Sequence, residues 1–598
     1  MSEYRAPFAD IRFVLQELAG LEQVISLPGY EDATPDVVDA ILEEAAKFAT
    51  EVMSPLNTVG DREGSVRRDD GTVRTPAGFK DAYLKFCENG WNGLTKSTEF
   101  GGQGLPILVG TACEEMWHAA NLAFNLCAML TQGAIESIEL AGTPELKARF
   151  LPKMVCGTWS GTMNLTEPQA GSDLAAVRTR AVPQLDGTYR LHGQKIFITY
   201  GDQDYTENII HLVLARTPTA PEGVKGISLF IVPKVNVNAD GSLGVRNDVA
   251  CTSLEHKLGI HASPTAVLAY GEQGGATGYL VGEEHRGLEY MFIMMNLARF
   301  SVGLEGVGIS ERAYQRAVAY ARERVQGRPV GGGAKGATII EHPDIRRMLM
   351  TMRANVEAMR AVAYVVAAAQ DNALRHPDAA ARKRHQAFVD FMIPIVKGWC
   401  TETAQQVAYL GIQVHGGMGF IEETGAAQHY RDARIITIYE GTTGIQANDL
   451  IGRKTARDGG SQAKSIAAEA DMVARELEAH PDSNLQAIGA QLRRAAYAAA
   501  KAVDWVVPAY GSNARVAHAG AVPYLELWGT VVGGWQLGRA ALIAARQLAA
   551  GEGDAKFLSA KIITARFYAD YLLPRAAGLA HSVTEGGESA LAIGAEQF

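Results

Sequence analysis

At 598 residues the chain is too long for one hydrophobic core, so several packed domains are expected. Apolar residues make up 47% and charged residues 20%, a globular balance without the signature of a disordered chain. A net charge of −10 excludes a general nucleic-acid footprint, because neutralising phosphates needs a basic stripe and none is evident.

The opening MSEYRAPFAD lacks a basic region and an apolar region, so no secretory signal is expected. No apolar run approaches the ~20 residues of a membrane helix, and no membrane insertion is expected. The six cysteines (Cys87, Cys113, Cys127, Cys156, Cys251 and Cys400) form no CxxC pair. That argues for buried thiols in a reducing, cytoplasmic setting.

Residues 1–33 hold an amphipathic piece, IRFVLQELAGLEQVI, expected to pack on the main body. Thr34-Pro35 reads as an N-cap followed by proline at N1, and Val38, Ile41, Leu42, Ala45, Phe48, Ala49 and Val52 then recur at helical spacing. Helical patterns continue to about residue 155, with a Gly-rich break at 99–106. Near Gly161 the character changes. TYRLHGQKIFIT, NIIHLVLART, GISLFIVPKV and TAVLAYGE are short, β-branched and separated by turn residues, the pattern of an antiparallel barrel or sandwich. Long helices return from about Leu288 to Arg453, interrupted by a Gly-rich loop at 327–339. RKTARDGGSQAK at 453–464 reads as a linker, and Ala-rich amphipathic segments beyond it suggest a further four-helix unit.

Three segments carry the chemistry. LTEPQAGSDL at 165–174 is a turn crowded with hydroxyls and backbone donors, and KIFIT follows at 195–199. IYEGTTGIQ at 438–446 sets one carboxylate, Glu440, before a Gly-Thr-Thr step that can open a helix. Taken singly, the first is also a polar capping loop, and Glu440 is also a carboxylate stabilising a helix N-terminus that Thr442 or Thr443 caps.

Together, and in this order, the segments resemble the acyl-CoA dehydrogenase family over roughly residues 35–455. The implied fold is multidomain α+β: an N-terminal helical domain (34–160), a central antiparallel β-domain (161–284) and a C-terminal four-helix bundle (285–453). An appended helical domain (465–598) follows, and residues 1–33 form an N-terminal helical extension. The appendage and the AP-x-x-D-x-x-F opening (Ala6-Pro7, Asp10, Phe13) resemble the larger bacterial branch. That branch includes 3-methylthiopropionyl-CoA dehydrogenases and broad-range fatty acyl-CoA dehydrogenases.

The resemblance implies FAD-dependent α,β-dehydrogenation of an acyl-CoA to a trans-2-enoyl-CoA in fatty acid β-oxidation. Glu440 would remove the pro-R Cα proton, Cβ would give a hydride to flavin N5, and electrons would pass to electron-transfer flavoprotein. The Glu440 backbone N–H and a flavin ribityl hydroxyl would polarise the thioester carbonyl. Met163, Leu165 and Thr166 fall where the family lines the isoalloxazine edge, Gly171 and Ser172 at the flavin phosphate, and Phe197 and Thr199 against the ring. Phe197 replaces the usual Trp and gives up its indole donor. Arg324, Gln413, Gly416 and Gly417 match contacts to a neighbouring subunit's flavin, which implies a homo-oligomer, and the appended domain favours a homodimer. Thr442 matches an adenine-side contact. Arg299 matches an arginine near CoA, Gly441 leaves room for a ligand, and Ser172 also lies near the CoA arm.

Two rival readings remain: an acyl-CoA oxidase that uses dioxygen, and a flavin-containing DNA-associated protein of the same fold. The mixed charges of 465–598 disfavour the second. GGGAKGAT at 331–338 lacks the ending of a P-loop, and GLEGVG at 303–308 lies inside a helical pattern with the dinucleotide glycines reversed. The histidines show no metal spacing, and no metal is expected.

Overall fold

The computed structural model describes residues 4–332 and 336–598, so the centre of the GGGAKGAT stretch lies outside the described residues. Two compact units emerge. One combines residues 47–105 with 120–298; the other combines 1–46, 106–119 and 299–598.

The first unit is built on one large sheet. Its strands are β1 (Trp159–Asn164), β2 (Arg180–Pro183), β3 (Tyr189–Thr199), β4 (Asn208–Ala215), β5 (Ser228–Pro233), β6 (Val249–Leu254), β7 (Thr265–Tyr270) and β8 (Ala276–Val281). They lie in the order β6-β7-β3-β8-β5-β4-β1, with β2 beside β3. Every residue of β4 and β5 is buried, which accounts for their mostly apolar sequences. The sheet is antiparallel except at one edge, where β1 pairs with β4 in parallel register from Trp159↔Asn208 to Asn164↔Val213. The expected purely antiparallel domain is corrected there: β2 and β3 intervene between the two strands in the chain, so β4 can return alongside β1 in the same direction.

Helix Leu122–Ala141 lies on β1 at a distance only glycine permits. A Cβ on Gly161 would sit 2.5 Å from that of Ala134, and the Gly161 amide donates to Thr131 Oγ1 at 3.0 Å. Aromatic rings fill the space beside it, with Tyr83 stacked on Tyr205 at 5.0 Å and Phe124 tilted against Phe79 at 5.8 Å.

The second unit is helical. Its long helices are Pro343–Arg375, Ala379–His415 and the C-terminal part of Gly287–Glu323. Gly287–Glu323 is also long and apolar enough by composition to cross a membrane, which the sequence reading did not anticipate, and 72% of its apolar window is buried in the protein. Helix Pro35–Phe48 starts where Thr34-Pro35 predicts, and Val37 donates to Thr34 Oγ1 at 3.4 Å. The N-terminal amphipathic piece forms Phe8–Phe13, a wide turn over Val14–Leu18 and Leu21–Ile25, broken at Gly20 with φ 69°.

The linker expected at 453–464 is shorter than its polarity suggests. Helical structure runs through Ala456, and the next helix starts at Ser461 after a turn closed by Gly459 and Gly460, both at positive φ. Beyond it stand five long helices rather than four: Ser461–Glu478, Ser483–Ser512, Ala521–Ala550, Ala555–Tyr571 and Arg575–Leu591. They join the bundle through Trp399, whose ring lies where a Cβ on Gly529 would come within 2.0 Å.

A buried ion network also ties this unit together. Arg360 donates to Asp10, Glu115 and Glu311, while Lys561 donates to Asp10 and Glu357 at 2.5 and 2.8 Å. Burial opposes ionisation of Asp10, but Lys561 and Arg360 outweigh it and hold its carboxyl at about 2.

Candidate active site

In the helical unit, the chain leaves a short turn of 3-10 helix at Arg434–Thr437 and enters helix Thr443–Asn448, with Glu440 between them. Thr442 caps that helix by accepting from the Ile445 amide at 3.3 Å. The cap and Glu440 therefore share one loop. Glu440 has φ 55° and Gly441 φ 91°. Gly441 adopts this conformation freely, whereas a side chain at Glu440 costs on the order of 1–3 kcal/mol, strain of the kind held at functional sites. Gln446 Nε2 donates to the carbonyls of Glu440 and Gly441 at 3.3 and 3.4 Å, which fixes the loop from beneath.

Dense surroundings push the Glu440 carboxyl up to about 7, against the pull of Arg299 and Lys397. Arg299, 7% exposed, is buried rather than free at the surface. Burial lowers its affinity for a proton, with Asp449 and Glu440 opposing. Its positive charge thus acts on the Glu440 loop. Tyr439 donates its hydroxyl to Glu305, so the expected apolar flank of Glu440 carries a polar end.

In the sheet unit, the turn after β1 and the end of β3 come together as two of the motifs predict. The Ile196 amide donates to Thr166 O at 2.9 Å. Met163, Leu165, Thr166 and Thr199 are partly exposed, and Gly171 and Ser172 are exposed. Pairing of β3 with β7 shifts register between Lys195 and Ile198, a bulge that places Phe197 at φ 60° and leaves it 58% exposed. A bulge re-aims a side chain in this way. Behind the turn lies a pair that motif reading missed. Lys195, fully buried, donates to Leu165 O at 3.0 Å and to Glu167 Oε1 at 2.8 Å. Glu167 also accepts from the Arg178 and Thr179 amides and from Thr179 Oγ1. A charged residue inside a strand of inward-facing apolar positions, with an acid inside the partner motif, was the available signal.

The remaining residues expected at a flavin nucleotide lie in the helical unit. Arg324 ends helix Gly287–Glu323 with an exposed side chain, and its carbonyl accepts from the Ile339 amide at 2.7 Å. Gln413 and Gly417 are exposed at the end of Ala379–His415, and Gly416 caps it at φ 59°.

Four family profiles cover most of the chain. The acyl-CoA dehydrogenase N-terminal domain matches 36–158, the middle domain 162–271 and the C-terminal domain 285–454, followed by an acetyl-CoA dehydrogenase C-terminal-like domain at 463–594. A protein of Ruegeria pomeroyi named 3-methylmercaptopropionyl-CoA dehydrogenase is 51% identical over 98% of this chain and 99% of its own. The chain belongs to the acyl-CoA dehydrogenase family.

An acyl-CoA dehydrogenase of Bacillus anthracis complexed with FAD has the same fold, with TM-score 0.74 and 21% identity over 96% of this chain and 91% of that one. A structure described as an electron transferring flavoprotein of Acidaminococcus fermentans has TM-score 0.57 and 26% identity, over 70% of this chain and 97% of that one. This acyl-CoA dehydrogenase family member is therefore an oxidoreductase and a flavoprotein. Its own residues fit such a cofactor. Phe197 presents an aromatic face, and the partly exposed Thr166 and Thr199 and the exposed Ser172 supply hydroxyls. A Cβ on Gly171 or Gly417 would meet nothing within 4 Å, so open surface borders both.

Proposed function

We propose that the chain converts an acyl-CoA thioester to its trans-2-enoyl-CoA with Glu440 as the base on the pro-R Cα proton. The observation that carries this reading is the Glu440 carboxyl, held on strained backbone and pushed up to about 7. An ordinary carboxylate at about 4.3 is a feeble base for such a proton, whereas a group near working pH is suited to proton abstraction. The Glu440 amide, presented by the left-handed turn, donates to the thioester oxygen, and Gly441 leaves space for it.

FAD, when bound, would supply the acceptor, at N5, for the hydride from Cβ. Met163, Leu165, Thr166, Phe197 and Thr199 hold its ring, Gly171 and Ser172 its phosphates, and Thr442 its adenine side. Arg324, Gln413, Gly416 and Gly417 serve the cofactor of a partner subunit. Exposed Met418, Phe420 and Ile421 beside the two glycines support self-association as a homodimer. Arg299 and Ser172 bear on the CoA arm. Electron-transfer flavoprotein is the proposed electron acceptor, and six free thiols support a cytoplasmic setting. We keep the division into an N-terminal extension, helical, β, bundle and appended domains as part of this reading.

The likeness to the Ruegeria protein favours a short, sulfur-bearing acyl group. Anaerobic mixing with 3-methylthiopropionyl-CoA, butyryl-CoA and palmitoyl-CoA tests this directly. The first should bleach the oxidised flavin fastest, and no bleaching by any thioester would overturn the reading.

A further inference from the structure

The glycines of GLEGVG serve helix packing. A Cβ on Gly303 would lie 2.6 Å from Val396 O, and one on Gly306 would lie 2.8 Å from Cys400 O. Two backbones can approach this closely only without those atoms. The contact sets Glu305, on Gly287–Glu323, and Lys397, on Ala379–His415, within the crossing of the two helices. Both are 0% exposed. Among the described residues, Lys397 Nζ has no hydrogen-bond partner, and neither has Glu305 Oε1. Glu305 Oε2 accepts from the Tyr439 hydroxyl, one residue from Glu440.

A buried ammonium without a hydrogen-bond partner is costly and demands compensation. Here the compensation is electrostatic: Glu440, Glu305 and Glu402 all favour the charged form of Lys397, although burial still pulls it down to about 8. Burial pushes Glu305 up to about 8, and of the three acids Glu440 favours the lysine charge most. No surface of the Lys397 ammonium is open to solvent, so it acts through its field rather than by touching a substrate.

We propose that Lys397 is a positioning residue for Glu440: its enclosed ammonium, fixed by the glycine-lined helix crossing, keeps the base ionised. The inference rests on Glu440 being the base. Other charges also face this region: Arg299 and Glu305 from Gly287–Glu323, Glu114 from Ile107–Ala120, Glu402 from Ala379–His415, and Asp449 and Arg453 from the segment that follows. Arg299 supplies a second cation, so Lys397 shifts Glu440 without setting its charge alone.

The test compares wild type, Lys397→Met, Lys397→Arg, Glu305→Gln and the double variant Lys397→Met/Glu305→Gln as flavin-loaded proteins. The pH dependence of anaerobic flavin reduction by butyryl-CoA is measured beside infrared titration of the Glu440 carboxyl, assigned by subtracting Glu440→Gln. Lys397→Met should move the acid limb and the carboxyl titration upward by about one pH unit, roughly tenfold slower reduction below the limb. Reduction above the limb should match wild type. Lys397→Arg should restore the position, and Glu305→Gln should leave it in place. The double variant should repeat the upward shift without stranding a buried carboxylate, which keeps the test open if the single variant fails to fold. Unchanged titration of Glu440 in either Lys397→Met protein would overturn the role of Lys397. Loss by the same factor at every pH would overturn it too. Flavin reduction at the wild-type rate in Glu440→Gln would instead overturn the base assignment, and the infrared titration would still decide the inference.

Discussion

Glu440 is where the fold accepts a local penalty. Its left-handed backbone and its raised carboxyl both oppose stability, and both suit the proposed base. The carboxyl sits at about 7 against an ordinary 4.5, so between those values the folded protein retains a proton that the unfolded chain has released. Stability is therefore eroded as pH rises through that window, the reverse of a salt-bridged carboxylate. Glu440→Gln should melt about 2–4 °C higher than wild type at pH 8 and at the same temperature at pH 5. Calorimetry at the two pH values checks this, and an equal melting temperature at pH 8 would argue that the carboxylate is solvated.

The turn after β1 and the bulged end of β3 show which elements the sequence discloses. Their motifs lie some thirty residues apart, yet strand patterning places both in one β-domain, and the Ile196–Thr166 hydrogen bond joins them. Helix starts were equally legible at Thr34-Pro35, because capping chemistry is local. The Lys195–Glu167 and Lys397–Glu305 groupings were not, because each depends on which faces of two elements meet. The same holds for the parallel β1–β4 pair and for the fifth appended helix, where Ala-rich periodicity gives no count. Lys195 anchors the turn proposed to hold the flavin, so Lys195→Met should strand Glu167 and destabilise the protein by about 3–5 kcal/mol. Flavin should also be lost on desalting. Denaturant unfolding and the flavin-to-protein absorbance ratio check both effects, and a variant as stable and as yellow as wild type would remove this role.

For the whole molecule, two compact units each carry part of the expected chemistry. The sheet unit holds the residues proposed for the flavin ring, and the helical unit holds the proposed base Glu440 with its surrounding charges. Removing the base while keeping the cofactor separates these contributions. Anaerobic titration of purified Glu440→Gln with 3-methylthiopropionyl-CoA and butyryl-CoA, beside wild type, tests the central claim most directly. The variant should keep a full complement of oxidised flavin and stay yellow under thioesters that bleach wild type; bleaching at the wild-type rate would contradict the account.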